Sequence, residues 1–265
     1  MPVSPRRRRP QVGAVVSFEV QELDKDTARQ MVMDHHYSGR CPGMKYSYGL
    51  YECGRLVGCV VYSIPASYTL CNGVCGVEYR SHVVELARLV ITTSTPNAAS
   101  SLVGQSLSAM PDHVVVSYAD CNEHVGHVGY VYQATNWTYT GQGNAEPVYL
   151  LEADHPSGMR AGTPISYTRR HIDKKARDLG FDWREGASTG PGLVRKPMVG
   201  KHRYVYFTGG KKFKRAARVA LKYKIKPYPK GSTRRHGGNI MQVGTTGTTV
   251  TKVPSDTAPQ PDILR

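Results

Sequence analysis

The stretch from Val83 to Tyr118 constrains the fold more than any other part of this 265-residue chain. Val83–Thr92 is a nearly continuous apolar run, with Leu86, Leu89, Val90 and Ile91, as expected of a strand covered on both faces. A turn at Thr93–Pro96 follows, then a helix from about Ala98 to Met110, then a second buried strand at Val114–Tyr118. Two buried strands flanking one helix belong inside a layered sheet-and-helix domain, and 265 residues suffice to bury such a core.

The flanking segments extend that layer. Ala14–Leu23 alternates as a strand with Val16, Phe18 and Val20 on one face, and Asp26 or Thr27 can cap a helix running to about His36. Tyr46–Glu52 and Leu56–Ile64 form a hairpin around Cys53-Gly54-Arg55, and 65–81 reads as loop. His127–Thr135 is helical, and Trp137–Tyr139 and Pro147–Leu151 are closing strands. The fold class is α+β with α/β-like strand–helix units: a mixed sheet flanked by helices, occupying 12–155. Beyond it Tyr167–Leu179 is a basic amphipathic helix, Gly180–Pro197 a linker, His202–Phe207 an aromatic strand and Lys211–Lys224 a helix. These make a basic C-terminal extension over 156–231, with a disordered tail at 232–265 and a disordered basic arm at 1–11.

Charge is segregated along this layout. Residues 201–265 hold 15 basic and 2 acidic side chains and Arg6–Arg9 add four cations, whereas 10–150 hold 7 basic and 12 acidic ones. A mildly acidic body between basic ends suits a catalytic unit brought to a polyanion. A hydrophobic content of 40% with 17 Tyr excludes a wholly disordered chain. No apolar run approaches the roughly 20 residues of a membrane span, and the basic start lacks the apolar core of a secretory signal. Six cysteines are too sparse for a disulfide framework, so reduced thiols in a cytoplasm fit best.

Four constellations carry chemistry. At Leu89–Ser101 small residues let a ligand approach the backbone, and the first-turn amides around Asn97, Ala98, Ser100 and Ser101 offer an anion site; plain capping by Asn97 is the structural alternative. Asp120 ends the strand after Ser117-Tyr118-Ala119, where ligands of open sheets sit, or it caps a turn. His124 and His127 beyond it, with His35-His36-Tyr37, offer ligands of the kind non-haem iron uses, although such histidines are more often surface or core. Tyr132, near the end of a helix, is either core or a general acid for a departing thiolate.

The fourth constellation is basic. Residues 201–235 hold 13 Lys/Arg and no acid, and on 211–224 Lys211, Lys214, Arg215, Arg218 and Lys222 form a stripe opposite Phe213, Ala216, Ala217, Ala220 and Leu221. Like charges at this density call for a polyanion. With Lys201 and Arg203 they are the nucleic-acid candidates, and Tyr204, Tyr206, Tyr223 and Tyr228 can stack on bases.

Taken in order, Glu85-Leu86-Ala87-Arg88-Leu89, Pro96-Asn97-Ala98-Ala99-Ser100, Ser117-Tyr118-Ala119-Asp120 and Gly126–Trp137 resemble the Mom family of phage DNA-modification proteins. So do Lys201–Phe207, Leu221-Lys222-Tyr223 and Ile225–Lys230; the similarity covers about 30–230. The resemblance implies a GCN5-related N-acetyltransferase-like fold. In that fold acetyl-CoA lies between two splayed parallel strands, here Val83–Thr92 and Val114–Tyr118, with its pyrophosphate on Thr93–Ser101. The glycine-rich pyrophosphate signature of that fold is absent here. It further implies conversion of adenine N6 in double-stranded DNA to the methylcarbamoyl (acetamido) form, which shields phage DNA from restriction in the host cytoplasm. Iron is implied as a cofactor, with His36, Tyr37, Asp120 and His127 as the ligands to test. Arg88 would position cofactor or base, Ser101 would contact phosphate, and Tyr132 would act on sulfur or base. The rival readings are an ordinary acyl-CoA-dependent N-acetyltransferase acting on protein or small-molecule amines, and a DNA-binding protein without catalysis.

Overall fold

The computed structural model describes residues 17–121, 126–145, 147–166, 169–181 and 192–230. The expected basic arm, residues 14–16 of the first strand, His124 and the tail from 232 lie outside the described residues.

Seven strands form the main sheet: β1 (Phe18–Glu22), β2 (Tyr46–Glu52), β3 (Arg55–Ser63), β4 (Val83–Ile91), β5 (Val114–Ala119), β6 (Thr138–Gln142) and β10 (His202–Phe207). Their spatial order is β1-β2-β3-β4-β5-β10-β6, with one parallel pair, β4–β5, and the other pairs antiparallel. The β2–β3 turn needs left-handed backbone at two successive positions, supplied by Cys53 (φ 50°) and Gly54 (φ 77°), as a two-residue hairpin of right-twisted strands demands.

Helices cover both faces because each carries one apolar stripe. α3 (Ala98–Ala109) buries Ala98, Leu102, Val103, Ser106 and Leu107. It closes the largest core with Leu50, Val60, Tyr62, Val84, Val115, Trp137 and Tyr204. Truncating a side chain as deeply held as Leu102 to alanine costs about 2–5 kcal/mol. On the opposite face α1 (Lys25–His35) packs Ala28, Met31 and Val32 over Cys59, Val61 and Val90. Its cap is Asp24, whose carboxylate accepts the Thr27 amide at 2.9 Å; that bond and its local neighbours hold the carboxyl below its usual range. Beside it α2 (Tyr68–Cys75) and α6 (Lys211–Val219) share a core with Val83, Val114, Val116, Val205 and Phe207.

Besides the α1 cap, which is Asp24 and not the expected Asp26 or Thr27, the structure departs from the sequence reading in four places. Residues 65–81 are not loop. They hold α2 and a 3-10 turn at Val77–His82, because Ser67 caps Leu70 at 3.1 Å and Cys71, Val74 and Cys75 line up on one helical face. The helix expected over 211–224 ends at Val219; the Lys222 amide instead bonds the Val74 carbonyl at 2.9 Å, tying the chain to α2. The strand at Pro147–Leu151 does not close the main sheet. It is β7 (Val148–Leu151), central in a second sheet with β8 (Pro164–Ser166) and β9 (Leu193–Lys196). The last of these falls in the expected linker. With α5 (Arg169–Asp178) these strands enclose their own core of Tyr149, Leu151, Ile165, Ile172, Ala176 and Leu193.

The fourth departure is the largest. β10 is expected in the basic C-terminal extension over 156–231, and it lies inside the main sheet between β5 and β6. The reason is visible in its side chains. Val205 and Phe207 are buried on the α2/α6 face and Tyr204 on the α3 face, so both faces must be covered. After α6, residues 221–230 run as a strap. Lys226 donates its amide to Tyr139 O (2.9 Å), and Tyr228 Oη donates to Trp137 O (2.6 Å).

Candidate active site

β4 and β5 are paired only at Val83–Val114, Val84–Val115 and Glu85–Val116. Beyond Glu85 no strand lies on the β5 side of β4 among the described residues, although β3 still pairs with β4 as far as Ile91. The two parallel strands therefore part, as the resemblance implied, and Ser117 and Tyr132 meet the β4 backbone where they do so.

From β5, Ser117 Oγ lies 3.0 Å from Leu86 O and 2.8 Å from Tyr132 Oη. Tyr132 belongs to α4 (Tyr130–Ala134), which begins where Gly129 turns the chain at φ 77°. A side chain at Gly129 would strike the Tyr204 ring, so only glycine fits there. Burial pushes the Tyr132 hydroxyl up to about 12, and the nearby Tyr37 and Glu85 add to the shift. It therefore keeps its proton at neutral pH. Tyr37, just past α1, is 55% exposed and stacks on His36 with ring centroids 4.4 Å apart.

His36 is held neutral: burial and the Arg88 charge depress it to about 4. Its Nδ1 accepts the Ser38 amide at 3.1 Å, which leaves the ring proton on Nε2. Arg88 in turn donates from Nε to Arg40 O (2.8 Å) and from Nη1 to Ala87 O (2.6 Å), so its guanidinium is fixed in place. Glu85 sits three residues before it on β4. Burial raises its carboxyl, and the charges of Arg88 and Lys201 pull it part of the way back. Lys201 Nζ lies 3.1 Å from Asp120 Oδ2, and the Asp120 side chain is 11% exposed.

Tyr37, Arg88, Asp120 and Tyr132, the catalytic candidates of the sequence, thus come from the ends of α1 and β5, from β4 and from α4, and are linked through Glu85 and Lys201 as electrostatic neighbours. Sequence reasoning missed Glu85 and Ser117. The available signal was a carboxylate and a hydroxyl inside two otherwise apolar strands, each costly to bury without a purpose.

The metal set does not converge. Among the described residues no three His, Cys, Asp or Glu side chains are grouped to hold an ion. Of the candidates, His36 Nδ1 is used by an amide, Asp120 faces an ammonium, and His127 is exposed with its amide bonded to Asp120 O at 2.7 Å. The described residues, which leave out His124, do not fit an iron centre.

The cofactor candidates fit better. Leu89, Val90 and Ile91 form the open edge of β4, with Leu89 and Ile91 turned towards α3 and Val90 towards α1. Asn97 stands at the N-cap of α3 but does not cap through its side chain; its backbone is left-handed (φ 67°). The turn leaves the Ala99 and Ser100 amides with no acceptor among the described residues, as an anion site requires. Ser100 Oγ donates to Asn97 O (3.1 Å), while Ser100 and Ser101 border a shallow groove with Val20, Gly104 and Gln105.

The basic candidates divide. Lys211, Lys214, Arg215 and Arg218 are exposed along α6, which docks through Phe213, Ala217 and Ala220. Lys222 is exposed but lies beyond the helix. Lys201 belongs to the site through Asp120. Arg203 is structural: Nε donates to Thr140 Oγ1 (2.9 Å) and the guanidinium lies 3.4 Å over the Tyr223 ring.

The fold resembles two solved acetyltransferases. A putative acetyltransferase from Salmonella typhimurium, solved with acetyl-CoA, is 10% identical with a TM-score of 0.34, over 69% of this chain and 93% of that one. A ligand-free mutant of agmatine N-acetyltransferase is 12% identical with a TM-score of 0.34, over 72% of this chain and 99% of that one. Likeness this distant bears on no activity. No curated protein sequence matches. The model of the Mom protein family, by contrast, matches residues 17–230, a span running from β1 to the end of the strap and containing every side chain of the site. The chain belongs to the Mom protein family.

Proposed function

We propose that this protein is a DNA-modifying transferase that places the two-carbon group of acetyl-CoA on adenine N6 in double-stranded phage DNA and so protects that DNA from restriction. The methylcarbamoyl product that the family resemblance implies would further need a two-electron oxidant, to join the methyl carbon to N6, and an ammonia-level nitrogen donor, to replace the departing CoA thiol. The observation that carries this reading is the opening between β4 and β5, where Ser117 Oγ lies between Leu86 O and the Tyr132 hydroxyl and β4 carries Glu85 and Arg88. Family membership and the exposed cations of α6 support it.

Acetyl-CoA, when bound, supplies an activated two-carbon group on sulfur. The β4 edge from Leu89 to Ile91 and the turn Asn97–Ser101 would hold it. Tyr132 holds a proton on Oη at neutral pH, the kind of proton a departing thiolate or the base would take up. Glu85 is the carboxyl best suited to take a proton, because burial makes it more basic than a surface carboxylate. Arg88, pinned by two carbonyls, orients an acceptor without moving. Asp120 and Lys201 set the polar rim. An adenine must leave the stack to enter, which costs a few kcal/mol. Cations along Lys211, Lys214, Arg215 and Arg218 hold the duplex by its phosphates while it does so.

The test is mass spectrometry of nucleosides from bacterial DNA in cells expressing the wild-type chain or Tyr132→Phe. A modified adenine in the wild type and its loss in the variant are expected. Unmodified adenine in the wild type, together with acetylated protein or amine, would hand the function to an ordinary N-acetyltransferase.

A further inference from the structure

The turn that carries the α3 amides is held from outside. Glu52, the last residue of β2, is on the same face as Tyr48 and Leu50, which is the face α3 covers. Its carboxylate accepts from Thr93 Oγ1 through Oε2 at 2.9 Å and from Thr95 Oγ1 through Oε1 at 2.5 Å. Thr93 Oγ1 then accepts the Thr95 amide at 3.2 Å. Thr92 just before is fixed to β3, its amide and hydroxyl both on Val57 O at 2.8 and 3.1 Å. Every residue between the end of β4 and Pro96 except Ser94 is thereby tied to β2 or β3, and the chain enters Asn97 in its left-handed conformation.

We infer that Glu52 is a positioning residue for cofactor binding. By clamping Thr93 and Thr95 it sets the direction in which the Ala99 and Ser100 amides point, and so pre-organises the diphosphate site. This rests on the acetyl-CoA reading above. The two hydroxyls donate to separate carboxylate oxygens, whereas a carboxamide would present a donor at one of those two positions. An anion this close to a diphosphate site would by charge alone weaken binding. Geometry and charge therefore make opposite predictions when Glu52 is removed.

The experiment titrates acetyl-CoA into the full-length wild type, Glu52→Gln and Glu52→Ala by calorimetry, and follows amide hydrogen exchange over 92–101 in the ligand-free proteins. Positioning predicts acetyl-CoA binding weaker by about tenfold in Glu52→Ala, because the loop must then be ordered at binding. Glu52→Gln should fall between, and faster exchange should be confined to 92–101. Turnover at saturating cofactor should stay within about twofold of wild type, so the loss appears in KM. Unchanged or tighter binding in Glu52→Ala, with the wild type still binding, would overturn the clamp and leave the function intact. A wild type that binds no acetyl-CoA would overturn both.

Discussion

Neutralising the outer face of α6 tests the DNA assignment without disturbing the fold. Lys211, Lys214 and Arg218 recur along one side of the helix and are exposed, whereas the packing of α6 is carried by Phe213, Ala217 and Ala220. Changing all three to glutamine frees three phosphates if each cation neutralises one. Every phosphate freed lowers the slope of log K against log salt by about 0.9, so the slope should fall by about 2.7. At 0.15 M salt the same counterion effect weakens duplex binding by about two orders of magnitude. Fluorescence anisotropy on a short duplex across a salt series measures both quantities, and thermal unfolding should move little because no buried group is altered. A slope that stays at the wild-type value would refute the reasoning, whatever happened to the affinity. Deleting 201–265 cannot serve the same purpose: it removes β10 from the middle of the sheet.

Three further outcomes are expected. Tyr132→Phe loses one hydrogen bond to Ser117, so it should cost about 1 kcal/mol in denaturant unfolding yet lower turnover by about 100-fold or more. His36 is depressed from 6.5 to about 4, so the folded state binds its proton less readily than the unfolded chain. Its stabilising effect is complete above about 6.5 and is lost as pH falls towards 4, and His36→Gln should flatten that part of a stability-versus-pH curve. A chain ending at Lys230 should keep its unfolding temperature, since the strap bonds from Lys226 and Tyr228 remain, whereas one ending at Gly200 should not fold, as circular dichroism will show.

Much of the fold was legible because its strongest signals are local. Val83–Ile91, α3 and Val114–Ala119 follow from apolar runs and the small residues between them, and α1 from its i, i+3, i+4 stripe. What stayed hidden depends on partners distant in sequence. The high charge of 201–235 suggested a separate appendage, yet Tyr204, Val205 and Phe207 form an ordinary buried strand whose neighbours are Ser117, Val116 and Val114. α2 was obscured by Pro65, Gly73 and Gly76, although Ser67 and its apolar face were there to be read. In the candidate site, Tyr37, Arg88, Asp120 and Tyr132 were singled out from their strand and helix ends and the family resemblance. Glu85 and Glu52 were not. Their roles arise from side chains that pattern cannot bring together: Lys201 beside the first, and Thr93 and Thr95 beside the second. Among the described residues the proposed ligands His36, Asp120 and His127 do not group, for a related reason. Spacing put donors near one another, but an amide and an ammonium had already engaged two of them.

The central claim is that a two-carbon group held between the diverging strands β4 and β5 ends on adenine. Purified protein given isotopically labelled acetyl-CoA and unmodified plasmid, followed by digestion and mass spectrometry, measures that transfer directly. The account predicts the label on adenine and none on the other three bases. Label absent from adenine, or an adenine adduct carrying unlabelled carbon, would contradict it.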